Sequence, residues 1–328
     1  MTTYRALWVT REEDDYRQEV VERNLADLPA GEVLVRVQYS SLNYKDALSA
    51  TGHPGVTRNF PHTPGIDAAG VVAESASDAF APGDEVIVTG YDLGMGTFGG
   101  LAEYIRVPAA WLVRRPEGLG LREAMILGTA GFTAGLCVNK LLNSGLQPQD
   151  GQVLVTGATG GVGSVAVKLL AQLGYQVVAA TGKAEEAAFL QQLGAVEVID
   201  RNLLAEGADR PMLKTRWAGA VDTVGGEVLF NIVKSLNYGA SVACCGLTAG
   251  THFSGNVFPF ILRGTNLLGV DSVELPQHAK AAMWDKLAGP WQMDLEELTR
   301  EITLEQTPQV IDELLAGSNK GRVLVRIA

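Results

Sequence analysis

The stretch Val153–Ser164 reads VLVTGATGGVGS, and its reading decides the fold. A β-branched apolar run stops at glycine, and four glycines (Gly157, Gly160, Gly161, Gly163) then fall within seven residues. An apolar-periodic run, GVGSVAVKLLAQLG, follows at once. Strand, glycine turn and helix in this order make a pyrophosphate-binding unit, because a helix N-terminus offers unpaired N–H groups and a partial positive charge. The usual fingerprint has a first glycine where this chain has Ala158, and Gly157 just before it can supply the tight turn. Thr159, Gly160, Gly161 and Val162 are the expected phosphate-facing residues. Gly163 is expected to let the helix pack closely.

Working outward, strands and helices alternate from Gln152 onward. QVVAATG and VEVID read as strands, AEEAAFLQQLG and EVLFNIVKSLN as helices, and GAVDTVG, SVACCG and TNLLGVDS as further strands. Such alternation implies a doubly wound parallel sheet with crossover helices on both faces. The second strand ends in Thr181-Gly182-Lys183. An NAD site places an acid there to accept from the ribose 2′-OH. Here no acid stands at the tip, and Thr181 and Lys183 can bond a 2′-phosphate instead. Two charge-assisted bonds of about 1.5–3 kcal/mol each give a preference on the order of a hundredfold or more, so the expected cofactor is NADPH. Arg201, just past the third strand, can pair with that phosphate, stack on adenine, or be an ordinary surface arginine.

Upstream, the first 120 or so residues look β-rich, with EVLVRVQYSSL, DAAGVVAESA and DEVIVTGY as apolar runs punctuated by glycine and proline. The pattern changes near Leu121, where REAMILGTAGFTAGLCVNKLL has helical spacing. After about Glu274 come two helical stretches, QHAKAAMWDKLAG and TPQVIDELLAG, and a last strand, GRVLVRIA, expected to return to the first domain. The expected division is residues 1–123 with 274–328 as a catalytic, substrate-binding domain and 124–273 as the cofactor domain. A chain of 328 residues suits two domains.

Composition narrows the function class. Hydrophobic residues make up 47% and charged residues 19%, a globular balance. The formal charge of −11 shows no basic footprint, so no nucleic-acid partner is expected. The mixed-charge run REEDD, Arg11–Asp15, reads as a solvated turn. Three cysteines (Cys137, Cys244, Cys245) give no disulfide framework. No leader pattern and no apolar run of membrane-spanning length are expected, which points to a cytoplasmic protein without a membrane partner.

Several stretches carry a resemblance: SSLNYKDALSATG, PGIDAAG, GGLAEYIRVPAAWLV, LGTAGFTAG and PFILRGTNLLGVDS. Together with the glycine turn they resemble the medium-chain dehydrogenase/reductase superfamily, and within it the acrylyl-CoA reductase branch, also described as NADPH quinone oxidoreductases. The resemblance implies a Rossmann-like cofactor domain plus a β-rich GroES-like catalytic domain. Zinc-dependent members carry a Cys near the position of Asn43, a Gly-His-Glu in place of Gly65-Ile66-Asp67, and a four-cysteine lobe. This chain has none of these, so no metal is expected. A catalytic zinc needs three protein ligands, and His53, His62, His252 and His278 are scattered.

Without zinc, alcohol oxidation lacks its Lewis acid. A C=C bond conjugated to a carbonyl can take hydride directly, with hydrogen-bond donors stabilising the enolate. The resemblance puts Asn43, Tyr44 and Asp46 in the active-site region. Tyr44 is read as a donor to the nicotinamide ribose or to the enolate, or alternatively as a buried aromatic of a barrel strand. Asn43 and Asp46 either serve the chemistry or fix the loop through Asx-type bonds. The resemblance further implies cofactor contacts from Leu247, Ile261, Ser272 and Asn319, with Arg322 reaching the pyrophosphate. Lys45, Arg58 and Arg263 are candidates for a basic rim around an acyl-CoA. Cys245 reads as a buried strand residue. The expected reaction is NADPH-dependent reduction of acrylyl-CoA to propanoyl-CoA. Two alternatives stand beside it: a quinone or enone reductase acting on small electrophiles, and a non-catalytic NADPH-binding protein. Relatives pair through the last strand of the cofactor domain, so a homodimer is expected, with TNLLGV on the paired edge.

Overall fold

The computed structural model describes residues 2–13 and 15–328. Of the mixed-charge run, Asp14 lies outside the described residues, and its neighbours join two strands of a hairpin. In chain order the strands are β1 Thr3–Glu12, β2 Asp15–Asn24, β3 Val33–Leu42, β4 Asp67–Ser75, β5 Glu85–Thr89, β6 Tyr104–Val107, β7 Val113–Arg114, β8 Gln152–Val155, β9 Gln176–Thr181, β10 Ala195–Asp200, β11 Trp217–Asp222, β12 Leu236–Cys244, β13 Asn266–Gly269, β14 Thr299–Thr303 and β15 Arg322–Arg326. The helices are α1 Tyr44–Ala50, α2 Leu121–Asn143, α3 Gly161–Gln172, α4 Ala187–Gln192, α5 Gly226–Ser235, α6 Phe258–Arg263, α7 Gln277–Ala288 and α8 Thr307–Leu315. The chain divides into two compact units, residues 1–129 with 272–328, and residues 130–271.

The discontinuous unit is built on a seven-stranded sheet in the order β14-β15-β3-β4-β5-β7, with β6 also paired to β3. β15 lies antiparallel to β3 and parallel to β14, so the last strand returns to the first domain as the sequence suggests. Alternation along β3 sends Val33, Val35 and Val37 into a core with Leu7, Ile105, Val323 and Val325. The β1–β2 hairpin, absent from the sequence reading, forms its own two-stranded sheet. α1 is a second departure: Asn43 and Asp46 form a capping box that starts a helix inside a segment read as β-rich.

The contiguous unit has a six-stranded, all-parallel sheet in the order β10-β9-β8-β11-β12-β13. This is the doubly wound order, and its direction reverses beside β8, the strand that leads into the glycine turn. Leu154, Val178, Ala220 and Val242 of the sheet pack with Leu229, Phe230 and Val233 of α5. In β13 the pattern turns outward. That strand closes the order and its residues are largely exposed.

α2 corrects the expectation that no segment reaches membrane-spanning length. By length and composition it qualifies, yet 78% of its apolar window is buried within the protein, as in a core helix. Gly128 interrupts it with φ 50° and ψ −159°.

Candidate functional site

The glycine turn of the contiguous unit is braced from two neighbouring strands. Thr156 N–H donates to Val221 O (3.0 Å) and Ala158 N–H to Ala180 O (3.2 Å), tying the turn to β11 and β9. Gly157 adopts φ +55°, and a Cβ on it would lie 2.3 Å from Thr223 Oγ1. Gly160, extended, is the N-cap of α3, and Gly163 packs so tightly that a Cβ would lie 2.3 Å from Gly157 O. The first-turn N–H groups of α3 therefore face a half-open surface formed by Gly160, Gly161 and Val162, beside the nearly buried Thr159.

Beneath this turn lies a residue that the sequence reading passed over. Asp222, the last residue of β11, accepts from Thr156 Oγ1 (2.8 Å) and from the Gly225 N–H (2.8 Å). Thr156 Oγ1 in turn accepts from Thr223 N–H (3.0 Å). Burial pushes the Asp222 carboxyl above the usual range, against the pull of these donors. An acid closing an otherwise apolar strand was the available signal.

Thr181 closes β9. Its Oγ1 accepts from the Lys183 N–H (3.0 Å) and lies 3.5 Å from Thr159 Oγ1. The Arg201 guanidinium lies against Gly182: a Cβ there would come within 2.7 Å of Nε. Thr159, Thr181, Gly182, Lys183 and Arg201 are thus gathered at the carboxyl ends of β8, β9 and β10. Across the switch point, Leu247 follows β12, with its Cα 3.2 Å from where a Gly225 Cβ would stand. Leu247 is 60% and Ile261 69% exposed, so neither is an ordinary core residue.

Arg263 departs from its expected role. Its Nη1 donates to Lys234 O and Nη2 to Leu213 O (2.7 Å each), so the guanidinium pins α6 to the body of its own unit. It is not available to an acyl-CoA rim. Arg58 is exposed, with Nε on Pro54 O (3.0 Å), and Lys45 is half-buried. Cys245 lies just past β12, half-buried, with Sγ 3.5 Å from Asp222 O.

In the discontinuous unit the SSLNYKD and PGID stretches meet. Asn43 N–H donates to Asp46 Oδ2 (2.7 Å) and Ile66 N–H to Asp46 Oδ1 (2.8 Å). Asp46 is wholly buried, so the structure puts it in the loop-fixing role; its carboxylate has no surface to offer a substrate. Burial, reinforced by the Asp67 charge, pushes its pKa up to about 7. Asn43 Nδ2 donates to Asp67 Oδ2 (2.7 Å). Asp67 also accepts from Ser41 Oγ (2.6 Å), Thr129 N–H (2.9 Å) and Thr129 Oγ1 (2.6 Å).

Arg322, expected to reach a pyrophosphate, is anchored within its own unit, and its Nη2 has no partner there. It is 2% exposed, with Nε donating to Ile126 O (2.8 Å) and Nη1 to Asn43 Oδ1 (3.3 Å). Burial lowers its pKa, against the pull of Asp67 and Asp46. Tyr44, by contrast, opens α1 and is 46% exposed, which removes the buried-strand alternative. Ser272 is nearly buried and Asn319 half-buried.

These residues do not fit a zinc ion. Among the described residues no three His, Cys, Asp or Glu side chains gather to hold a metal. His62 is buried between Phe60 and Phe98, and His252 Nδ1 lies 2.7 Å from Thr251 Oγ1.

A parallel sheet in doubly wound order with a phosphate-ready turn, joined in one chain to a discontinuous β-sheet unit, defines a two-domain dehydrogenase or reductase. Residues 29–117 match the family model for the alcohol dehydrogenase GroES-like domain, and residues 161–289 match that for zinc-binding dehydrogenases. The quinone oxidoreductase-like YhfP of Bacillus subtilis is 46% identical, covering 99% of both chains. The acrylyl-CoA reductase AcuI of Ruegeria pomeroyi is 45% identical, again over 99% of both. The crystal structure of YhfP with NAD bound superposes with a TM-score of 0.97 at 46% identity, covering 99% of this chain and 100% of that one. The yhdH oxidoreductase of Salmonella enterica in complex with NADP gives 0.95 at 46% identity, with the same coverage. The chain belongs to the medium-chain dehydrogenase/reductase superfamily, in its quinone oxidoreductase-like branch.

Proposed function

We propose that this oxidoreductase is an NADPH-dependent reductase of an activated C=C bond, with acrylyl-CoA as substrate and propanoyl-CoA as product. The observation that carries the cofactor is the tip of β9, where Arg201 lies against Gly182 between Thr181 and Lys183, and residues 181–183 include no acid. The yhdH complex with NADP supports it. The similarity to AcuI supports the acyl-CoA substrate.

In this reading Thr181, Lys183 and Arg201 hold the 2′-phosphate. The N–H groups of Gly160, Gly161 and Val162, beside Thr159, take the pyrophosphate. Leu247 and Ile261 present apolar faces to the nicotinamide, and Ser272 and Asn319 add polar contacts. The bound cofactor supplies a hydride. The substrate's β-carbon gains that hydride and its α-carbon a proton, while the thioester carbonyl carries the intermediate negative charge. Tyr44 and Asn43 supply donors, Tyr44 chiefly to the cofactor ribose. The discontinuous unit, residues 1–129 with 272–328, serves as the substrate domain and residues 130–271 as the cofactor domain. A second copy covers the exposed β13 edge in this reading, and light scattering of the eluted protein is expected to give twice the chain mass.

The similarity to YhfP favours a second reading, reduction of small quinones or enones. Following NADPH absorbance with acrylyl-CoA, crotonyl-CoA, a short quinone and a simple enone separates the two. A clear lead in kcat/KM for acrylyl-CoA supports the first reading. Comparable weak rates on all four favour the second, and no turnover favours a binding protein without catalysis.

A further inference from the structure

The Asn43 side-chain amide is held at both ends. Nδ2 donates to Asp67 Oδ2 (2.7 Å) and Asp46 Oδ2 (3.2 Å), and Oδ1 accepts from Arg322 Nη1 (3.3 Å). A primary amide is nearly symmetric in shape, so its partners decide which way it points. A carboxylate at one end and a guanidinium at the other leave one orientation. Asp67 is the hub, drawing donors from Ser41 at the end of β3, from Asn43, and from Thr129 on α2. Gly128 sits directly on this cluster: a Cβ there would lie 2.4 Å from Ser41 Oγ, 2.6 Å from Asp67 Oδ2 and 2.8 Å from Arg322 Nη2. The charged groups facing one another are Asp46 on α1, Asp67 on β4 and Arg322 on β15, all buried. Desolvation offsets most of the Coulomb attraction in such a cluster, so it is a poor source of net stability. What it delivers is a fixed geometry.

We infer that Asp67 and Arg322 are positioning residues for the reductase step, acting through Asn43 to fix both its amide and the first turn of α1, where Tyr44 stands. This rests on reading Asn43 and Tyr44 as the polar groups of the active site. Asp67 and Arg322 are 0% and 2% exposed and act through Asn43. Their removal misplaces Asn43 and Tyr44, and misplacement of about 1 Å costs on the order of a hundredfold in rate.

The test is Asp67→Asn, which keeps the volume but removes the charge and confronts several donors with a further N–H. Expected are a fall in kcat of about tenfold or more, a shifted pH profile, an NADPH Kd changed by less than about threefold and a cooperative thermal transition. Arg322→Lys should lose the orientation as well, since an ammonium lacks the planar fork. Ser41→Ala removes one donor from the hub and should fold even where Asp67→Asn does not; it is expected to lose a smaller part of kcat. Exchange of the Asn43 side-chain amide protons, followed by NMR, should be slow in the wild type and fast in Asp67→Asn. A folded Asp67→Asn protein with wild-type kcat, pH profile and exchange overturns the inference. If only Ser41→Ala folds, unchanged kcat and exchange overturn it equally. A wild type that turns over no acceptor refutes the reductase reading instead, while the exchange measurement still judges the positioning network.

Discussion

Replacing Gly163 by alanine sets two physical effects of opposite sign against each other. In a helix interior, alanine is favoured over glycine by about 1 kcal/mol, so propensity alone predicts stabilisation. The structure predicts the reverse. The new Cβ would stand 2.3 Å from Gly157 O and 2.8 Å from Ala158 Cα, where ordinary contact begins at 3.4 Å. Both neighbours are backbone, held in place by the Ala158 and Thr156 hydrogen bonds, so they cannot swing aside. The first turn of α3 must retreat by about 1 Å. Overpacking of this kind costs about 1–3 kcal/mol and outweighs the propensity gain at most of that range. The expected net loss of up to about 2 kcal/mol lowers Tm by up to roughly 8 °C. The same retreat carries the N–H groups away from the pyrophosphate, and a loss of about 1.4 kcal/mol there weakens NADPH binding tenfold. Calorimetric unfolding and NADPH titration read both quantities. A Gly163→Ala protein that melts higher and binds NADPH as tightly as the wild type would refute the close-approach argument.

Four further outcomes are expected. Lys183→Glu places a carboxylate beside Thr181 and should move the kcat/KM ratio from NADPH toward NADH by on the order of a hundredfold; unchanged Michaelis constants for both cofactors would remove Lys183 from the phosphate site. Asp46, with its pKa raised to about 7, stays protonated in the folded state where the unfolded chain ionises. Its contribution is complete below about pH 4 and is lost as pH rises to about 7, by a few kcal/mol in all. His62, whose pKa burial lowers, acts in the opposite sense: the unfolded chain takes up the proton first, so stability falls as pH drops below about 6.5. Denaturant midpoints of His62→Phe across pH 5–7 should therefore lose the acid-side slope. Arg263→Met removes both anchors of α6 and should cost about 1–3 kcal/mol in chemical denaturation, with no selective rise in KM for an acyl-CoA over a neutral enone.

Local signals account for what the sequence discloses. The Val153–Ser164 stretch announces its turn because glycines are demanded by backbone contact, and the periods of the following strands and helices are short-range. The Thr181-Gly182-Lys183 tip is legible for the same reason. The Asp67 hub is not: its donors come from residues 41, 43 and 129, and its counter-charge from residue 322, and only the folded sheet brings them together. Arg322 shows the difficulty well. In the run Asn319-Lys320-Gly321-Arg322 nothing local marks it for burial, but the β15–β3 register, with Val323 opposite Leu42, brings it to Asn43 and turns it inward. α1 was hidden by the β-rich composition around it, although the Asn43–Asp46 spacing is a capping box. The hairpin β1–β2 carries alternating charged residues that mask its pairing.

The placement of β15 has a consequence for biosynthesis. Residues 130–271 are contiguous, so that unit has its whole sequence available once they have emerged from the ribosome. The other unit must wait: β15, residues 322–326, lies between β14 and β3, within the sheet and not at its rim. Until residues 322–326 are translated, the Tyr39–Leu42 half of β3 lacks its β15 partner and the acid of β4 has no guanidinium opposite it. Until then the nascent chain carries an open, aggregation-prone sheet, and loss of residues 322–326 removes the keystone of the unit that began first.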